Sequence, residues 1–368
     1  MKILFVGSLS EGQTSLMRMN VLKEQGYDVL PLSNQFYWDS AGMLSRRVQQ
    51  SLEYGPIIER INRELLAAAY NFRPDMVWAE KQEYLKADVL LEISGLGIKL
   101  VHYTPDPYFS LSWKKTRHLD ASLSVYDCLI TSKKYEIKEY ESVNSNVIYM
   151  PLGFSHEVHR PIVPRNSDLK ERYTSDVSFI GGWEPRREEY LNFIKDKLDC
   201  ELKIWGYGWD FLKDGKWTLR RWWGMRRNSG GERFKIRANP TLSKCVVGDE
   251  IYGDHYGWAL SGAKINIGFL RKICPDQHTT RTFEIPACQS LLLADRSDEH
   301  SELFKEGIEA DYFSSKEEMV DKIRFYLSNE SARKKIAVNG YERCQNAGFS
   351  YKEILTETLA ELSKREII

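Results

Sequence analysis

No charge of one sign dominates this chain: 52 basic and 52 acidic residues balance over 368 positions. That balance excludes a global field that would steer the protein to nucleic acid or to an anionic membrane. Long hydrophobic runs are missing too. No stretch approaches the roughly 20 apolar residues that a membrane span needs. The apolar run in Met1-Lys2-Ile3-Leu4-Phe5-Val6-Gly7 is too short for a signal peptide. The expected location is therefore cytoplasmic. The six cysteines, Cys128, Cys200, Cys245, Cys274, Cys288 and Cys344, form no Cys-x-x-Cys pair and no short metal-binding spacing. Four of them sit in or beside apolar runs, where a reduced, buried thiol is the ordinary state. There is no internal repeat, no low-complexity tract, and no Asp-x-Asp pair at the end of a strand-like run. No metal and no cofactor are expected.

What is present is alternation. Short β-rich apolar runs alternate with longer amphipathic segments, the pattern of parallel sheets wrapped by helices. In the first half, strands are predicted at residues 2–6, 27–30, 76–79, 99–103, 127–131 and 146–150. One long helix is predicted over 45–71, with Val48, Leu52, Ile57, Ile61, Leu65 and Ala68 spaced for a single face. A second series has strands at 177–180, 202–205, 264–269, 291–294 and 310–313. Its helices are predicted at 185–198, 250–261, 280–288, 316–327 and 331–346, with a last amphipathic segment at 350–364. The stretch 151–172 is polar and proline-punctuated. The expected organisation is α/β throughout: a Rossmann-like domain over 1–155, a linker over 156–175, and a second Rossmann-like domain over 176–349. Two such doubly wound domains in tandem hold ligands at the carboxyl edges of their sheets, so a cleft is expected there.

Two segments carry chemistry. In Phe179-Ile180-Gly181-Gly182-Trp183-Glu184-Pro185-Arg186-Arg187 a strand ends at paired glycines, and proline is well placed to open a helix. Glycines let a phosphate approach the backbone, a helix start offers free N–H groups, and Arg186 and Arg187 add charged contacts. An ordinary strand–helix turn with solvent-facing arginines fits the same residues. The second segment runs from Asp276 through His278, Thr279, Thr280 and Arg281 to Glu284 and Cys288. Its two carboxylates can accept sugar hydroxyls, and Arg281 near the helix start can donate to phosphate. Helix capping by Glu284 and a plain loop role for Asp276 stand as the alternative.

The second half resembles the spore-maturation (CgeB-like) glycosyltransferases, near the large retaining GT-B group. The resemblance rests on 176–190, Trp205-Gly206-Tyr207-Gly208-Trp209, Ile251-Tyr252-Gly253-Asp254, Ala263-Lys264-Ile265-Asn266, 278–288, Leu303-Phe304-Lys305-Glu306-Gly307 and 337–344. It implies a GT-B fold whose last helix, within 350–368, crosses back to the first domain. It implies sugar transfer from a nucleotide-diphosphate sugar such as a UDP-sugar to an acceptor hydroxyl, without a metal and with retention. Glu284 stands at the second acidic position of the group's E-x7-E motif, which holds the ribose. Asp276 stands at the first, which faces the donor sugar, although here it is Asp and not Glu. Arg187, and with it Arg186, matches the basic position on the pyrophosphate. Gln289 replaces the glycine usual after the Ala-Cys pair. Gly181, Gly182, His278, Thr279, Thr280 and Arg281 complete the implied donor side.

On the acceptor side the resemblance implies the loop Gly7-Ser8-Leu9-Ser10-Glu11-Gly12-Gln13, with Gly7, Ser8, Gly12 and Gln13 as candidate contacts, and Asp106, just past the strand at 99–103. A glycine-relieved turn fits that first loop equally well. With inversion the reaction needs a general base, for which Asp106 and His102 are the candidates. With retention Asp106 positions the acceptor, a proline-flanked turn role fits it equally well, and His102 reads as a hydrogen-bonded core histidine. The acceptor itself is not specified. The insertion 213–237 holds nine basic residues against two acidic, with Trp217, Trp222 and Trp223. It reads as a flap with a solvated basic face, or as a contact for an anionic acceptor or a membrane surface. Two other readings of the whole stand beside transfer: a two-Rossmann sugar-nucleotide epimerase, and a non-catalytic GT-B protein that binds nucleotide-sugars.

Overall fold

The computed structural model describes residues 1–111, 115–216, 218–228 and 234–368. The chain divides into two compact units, one made of Met1–Leu152 with Tyr351–Ile368 and the other of Gly153–Ser350. Each is built on a six-stranded parallel sheet flanked by helices.

In the first unit the strands are β1 (Lys2–Gly7), β2 (Asp28–Ser33), β3 (Met76–Glu80), β4 (Lys99–Thr104), β5 (Cys128–Thr131) and β6 (Val147–Tyr149), in sheet order β2-β1-β3-β4-β5-β6. Both faces are covered, which is why these strands are near-continuous apolar runs and not alternating ones. The period of two still sorts their side chains. Ile3, Phe5, Trp78, Val101 and Ile130 enter one core, and Leu4, Val6, Val77, Leu100 and Leu129 enter the other. The helix Tyr351–Lys364 belongs to the first of these cores: Tyr351, Ile354, Leu355, Leu359 and Leu362 are buried in it. That helix lies against the helix Thr14–Glu24. Gln25, which follows the latter, donates to the Lys352 carbonyl at 3.1 Å and to the Thr356 hydroxyl at 2.7 Å.

The buried Arg18 on the Thr14–Glu24 helix pairs with Glu80 at the end of β3. Its guanidinium lies 5.1 Å from the Tyr103 ring and 4.9 Å from the Tyr351 ring. Burial opposes the charge, Glu80 with Tyr103 and Tyr351 together more than offset it, and the net effect raises the Arg18 pKa. The predicted helix over 45–71 is in fact two helices, Met43–Leu52 and Pro56–Phe72. The Gln49 side chain accepts from the Ile57 N–H at 2.9 Å and so caps the second helix at its proline start. Val48 and Leu52 are exposed, whereas Ile58, Ile61 and Leu65 are buried. The apolar spacing therefore joined two helices that use different faces.

In the second unit the strands are β7 (Ser175–Ile180), β8 (Leu202–Trp205), β9 (Val246–Gly248), β10 (Ala263–Gly268), β11 (Leu291–Asp295) and β12 (Asp311–Phe313). Their order, β12-β11-β10-β7-β8-β9, places the first strand of the unit beside the fourth, with Val177 opposite Ile265. Chain connections leave β7 and β10 in opposite directions. That is a topological switch point, where open parallel sheets leave a crevice at the carboxyl ends of their strands. Residues 153–175 pack within this unit and include a short helix, Ser167–Tyr173, capped by the Asn166 side chain. All six cysteines are buried. Among the described residues no helix is long and apolar enough to cross a membrane.

The C-terminal helix is the piece of the first unit most remote in sequence. Each apolar side chain it buries contributes about 1.5–3 kcal/mol, and five together on the order of 10 kcal/mol. That is comparable to the whole stability of a typical domain, about 5–15 kcal/mol. A chain ending at Ser350 is expected to lose the first unit's cooperative unfolding transition while keeping that of the second. Calorimetry showing both transitions unchanged would contradict this assignment.

Candidate functional site

The site is built at the β7/β10 switch point of the second unit. β7 ends at Ile180, and the turn that follows is pressed against the turn after β8. Gly181 N–H donates to the Trp205 carbonyl at 2.8 Å, Trp183 N–H to the Tyr207 carbonyl at 3.0 Å, and Trp209 Nε1 to the Gly181 carbonyl at 2.9 Å. Two glycines make that approach possible. A Cβ on Gly206, whose φ is 135°, would lie 2.3 Å from the Gly181 carbonyl oxygen, and one on Gly182 would lie 2.5 Å from the Tyr207 ring. A side chain at 206 would push the two turns apart, whereas one at 182 would displace the Tyr207 ring. The helix Pro185–Lys197 starts directly beyond, with proline at its first position and no side chain capping its first N–H groups.

The two arginines of this helix part company. Arg186 makes a bidentate pair with Asp295 at the end of β11, and its guanidinium sits 4.4 Å from the Tyr190 ring. Asp295 also accepts from the Leu270 N–H at 2.8 Å, so this pair fixes the loop after β10. Arg187 turns back over the glycine turn, donating to the Gly182 carbonyl at 2.8 Å and meeting Glu184 at 2.7 Å. Its Nε is buried and has no hydrogen-bond partner. Burial pushes its pKa down to about 10; Glu184 opposes the shift, and the positive charges of Arg281 and Arg271 add to it. Arg187 and Arg281 thus meet at the turn after β7, and Arg271, exposed on the loop after β10, adds its positive charge from a distance. Arg281, the first residue of the helix Arg281–Ala287, is tied there by a bond from its Nε to the Ile180 carbonyl.

Arg281 also acts electrostatically on Tyr256, which joins the cationic group to a carboxylate. Glu284, buried on the Arg281–Ala287 helix, accepts from the Tyr256 hydroxyl at 2.6 Å and lies 3.6 Å from His159 Nε2. The Ser155 N–H donates to His159 Nδ1 at 2.9 Å, so the neutral ring carries its proton on Nε2, facing Glu284. Burial pushes the Tyr256 pKa well up, with Glu284 reinforcing it. Burial pushes the His159 pKa down, and Glu284 opposes that shift.

The preceding loop is equally enclosed. Asp276 and His278 are buried, and Thr279 and Thr280 are half-buried. His278 Nδ1 meets Glu299, while its Nε2 has no hydrogen-bond partner. The Thr280 carbonyl accepts from the Glu284 N–H at 3.0 Å and so opens the helix. Behind the loop, His300 Nδ1 donates to the Asp295 carbonyl at 2.7 Å, and its Nε2 accepts from Thr282 at 2.8 Å. The structure therefore brings Gly181, Gly182, Arg187, Arg281 and Glu284 to the same switch point and turns Arg186 aside into a scaffold. Sequence reasoning did not find Arg271, Tyr256 or His159. Of these only Tyr256 lies near a quoted motif, two residues past Asp254.

The first-unit candidates lie at the carboxyl edge of their own sheet. Gly7 ends β1, the Ser8 carbonyl accepts from the Ser15 hydroxyl, and Gly12 and Gln13 precede the helix Thr14–Glu24. Asp106, past β4, lies 3.4 Å from Lys81 Nζ. His102 is buried, bonded to the Gln82 carbonyl and the Thr104 hydroxyl, and burial lowers its pKa to about 4. Of the insertion 213–237, Trp217, residues 229–233 and the Trp223 side chain lie outside the described residues.

A family model described as "Glycosyl transferase-like" matches residues 186–360, which takes in both arginines and the whole 276–288 segment. The fold is that of the GT-B glycosyltransferases. The chain is similar to HepE from Anabaena, solved with UDP-glucose, at 12% identity and a TM-score of 0.64 over 99% of this chain and 100% of that one. Sucrose-phosphate synthase from Thermosynechococcus elongatus is similar at 12% identity and TM-score 0.62, over 99% and 98% of the two chains. A glycosyltransferase from Rickettsia africae is similar at 16% identity and TM-score 0.60, over 100% and 98%. No curated protein sequence is significantly similar to the chain.

The buried histidines make a pH prediction. His102 and His300 hold pKa values near 4, chiefly through burial, and His159 is shifted the same way. Unfolded imidazoles take up protons at about pH 6.5. Between there and about pH 4 the unfolded chain binds more protons than the folded one, so stability falls as pH falls. His102 lies in the first unit and the other two in the second, so both unfolding transitions should move down, beginning near pH 6.5. Melting temperatures that stay flat from pH 7 to pH 5 would show that these rings are not held neutral.

Proposed function

We propose that the chain is a glycosyltransferase that moves a sugar from a UDP-sugar to an acceptor hydroxyl, without a metal and with retention at the anomeric carbon. The observation that carries this reading is the meeting of Arg187 and Arg281 at the switch point, with Arg187 Nε buried and without an acceptor. A diphosphate supplies both the negative charge and the acceptor oxygens that such a group calls for. The first N–H groups of the Pro185–Lys197 helix add positive potential to the same place. The HepE structures with UDP-glucose and with UDP and glucose support the choice of uridine diphosphate as carrier.

In this reading Glu284 accepts the ribose hydroxyls, with Tyr256 and His159 fixing the orientation of its carboxylate. Asp276, with His278, Thr279 and Thr280 around it, faces the donor sugar. Asp106, Gly7, Ser8, Gly12 and Gln13 serve the acceptor, as the resemblance implies. In the reaction the bond from the anomeric carbon to the diphosphate oxygen breaks and the acceptor oxygen takes its place. The acceptor's proton balances charge on the released diphosphate. The arginines stabilise the negative charge that develops on the leaving group, the task that falls to a metal in other transferases.

Charged hydrogen bonds contribute about 1.5–3 kcal/mol each. Arg187→Ala and Arg281→Ala should each weaken UDP binding at least tenfold and leave uridine binding nearly unchanged. Glu284→Gln should weaken UDP and uridine alike, since the ribose is common to both. The same preparations, assayed for UDP release from a panel of UDP-sugars with EDTA present, should lose turnover in step. Equal losses of UDP and uridine in the arginine variants, or turnover abolished by EDTA in the wild type, would refute the reading.

A further inference from the structure

The Pro185–Lys197 helix has a use beyond its first turn. Along its outer side, Glu188, Asn192 and Asp196 recur every fourth residue and so form one stripe. They border a groove of about 770 Å³ whose opposite wall comes from the insertion that follows β8. That volume falls within the range of small-molecule sites, roughly 300–1,000 Å³. The groove is not apolar, and its polar groups are already oriented. Asn239 donates to the Asn192 side-chain oxygen at 2.9 Å, Asn192 donates to Asp196 at 3.0 Å, and Trp183 Nε1 donates to Glu188 at 2.7 Å. Between these polar groups stand the rings of Phe193, Trp222 and Phe234, each half-buried. Arg226 lies 5.7 Å from the Trp222 ring and Lys316 lies 5.2 Å from the Phe193 ring.

The chemistry of the walls selects among ligands. The carboxylates at 188, 189 and 196 interrupt the positive charge of Arg226, Lys235, Arg237 and Lys316, so the groove lacks the continuous basic surface that a nucleic-acid backbone or anionic lipid headgroups need. A purely apolar ligand would leave the amide and carboxylate network desolvated without gain. A sugar chain presents apolar C–H faces and a rim of hydroxyls, each hydroxyl both donor and acceptor. The rings match those faces, and the fixed amides, carboxylates and guanidinium groups match the rim. We infer that this groove binds an oligosaccharide stretch of the acceptor, outside the nucleotide site. The inference rests on the reading of the chain as a glycosyltransferase. Pro185 lines the groove and precedes Arg186 directly, so a chain lying there runs toward the first turn of the helix that carries Arg187. Such a site makes the enzyme prefer acceptors of several sugar units to single sugars, because contacts remote from the reacting hydroxyl raise the occupancy of a long acceptor.

The test uses the full chain in calorimetric titrations with soluble cello-, malto-, chito- and manno-hexaoses and the matching disaccharides, with UDP titrated separately. At least one hexaose should bind more tightly than its disaccharide. Trp222→Ala and Asn192→Ala should each weaken that binding at least tenfold while UDP affinity stays within twofold, which also reports an intact fold. Absence of binding by every hexaose overturns the inference, as does hexaose binding that both variants retain. Binding to phosphatidylglycerol vesicles that disappears in Trp222→Ala assigns the groove to a lipid surface instead and also overturns it. Hexaose binding lost in the variants, in a chain that does not bind UDP, upholds the groove and counts against the donor reading alone.

Discussion

Burying one guanidinium beside two others is expensive, and the second unit is arranged around that expense. Arg187 is almost wholly enclosed, and its charge is disfavoured by burial and by Arg281 and Arg271, with Glu184 as the main counterweight. A fold seeking stability alone would neutralise such a group or pair it fully. Asp295, the carboxylate at the end of β11, is engaged by Arg186 and by the Leu270 N–H and does not pair with Arg187. The glycine turns, the proline-opened helix and the Arg186–Asp295 pair all serve to hold this group of positive charges in place. Held in advance, the charges need not reorganise when negative charge arrives, and that is the physical content of a preorganised site.

The first unit gives the contrast. Arg18 is also buried, yet it has a bidentate partner in Glu80 and two aromatic faces, and the net shift raises its pKa and does not lower it. This is a structural ion pair, placed where the C-terminal helix brings Tyr351 onto the sheet. The difference between a satisfied and an under-satisfied arginine separates a structural lock from a binding site more clearly than burial does.

Much of this was legible in the sequence, for identifiable reasons. The α/β class and most strands followed from apolar runs that had to be buried on both faces. β9 was missed because it is three residues long and only half-buried at the sheet edge. The helix over 45–71 was read as one because Val48 and Leu52 continue the spacing of Ile57 and Ile61 across the Gly55-Pro56 break, although they face solvent. That Gly181, Gly182, Arg187, Arg281 and Glu284 come together at the candidate site was legible because each lies in one of two short segments next to a strand end. Arg186 looked the same as Arg187 in sequence, and only its partner Asp295 on β11 tells them apart. His159 comes from a proline-punctuated stretch with no motif of its own, and it reaches Glu284 only through the tertiary fold. Arg271 likewise carries no pattern; it stands at the start of the loop after β10, one residue past Leu270.

The central claim is that the second unit recognises the phosphates of a nucleotide more than its nucleoside. Titrating uridine, UMP and UDP in turn into the unmodified chain tests this most directly. Affinity should climb with each phosphate, by at least tenfold from uridine to UDP, and the gain should shrink as salt is raised, since part of the attraction is screened. Equal affinities across the three, or tightest binding by uridine, would contradict the account.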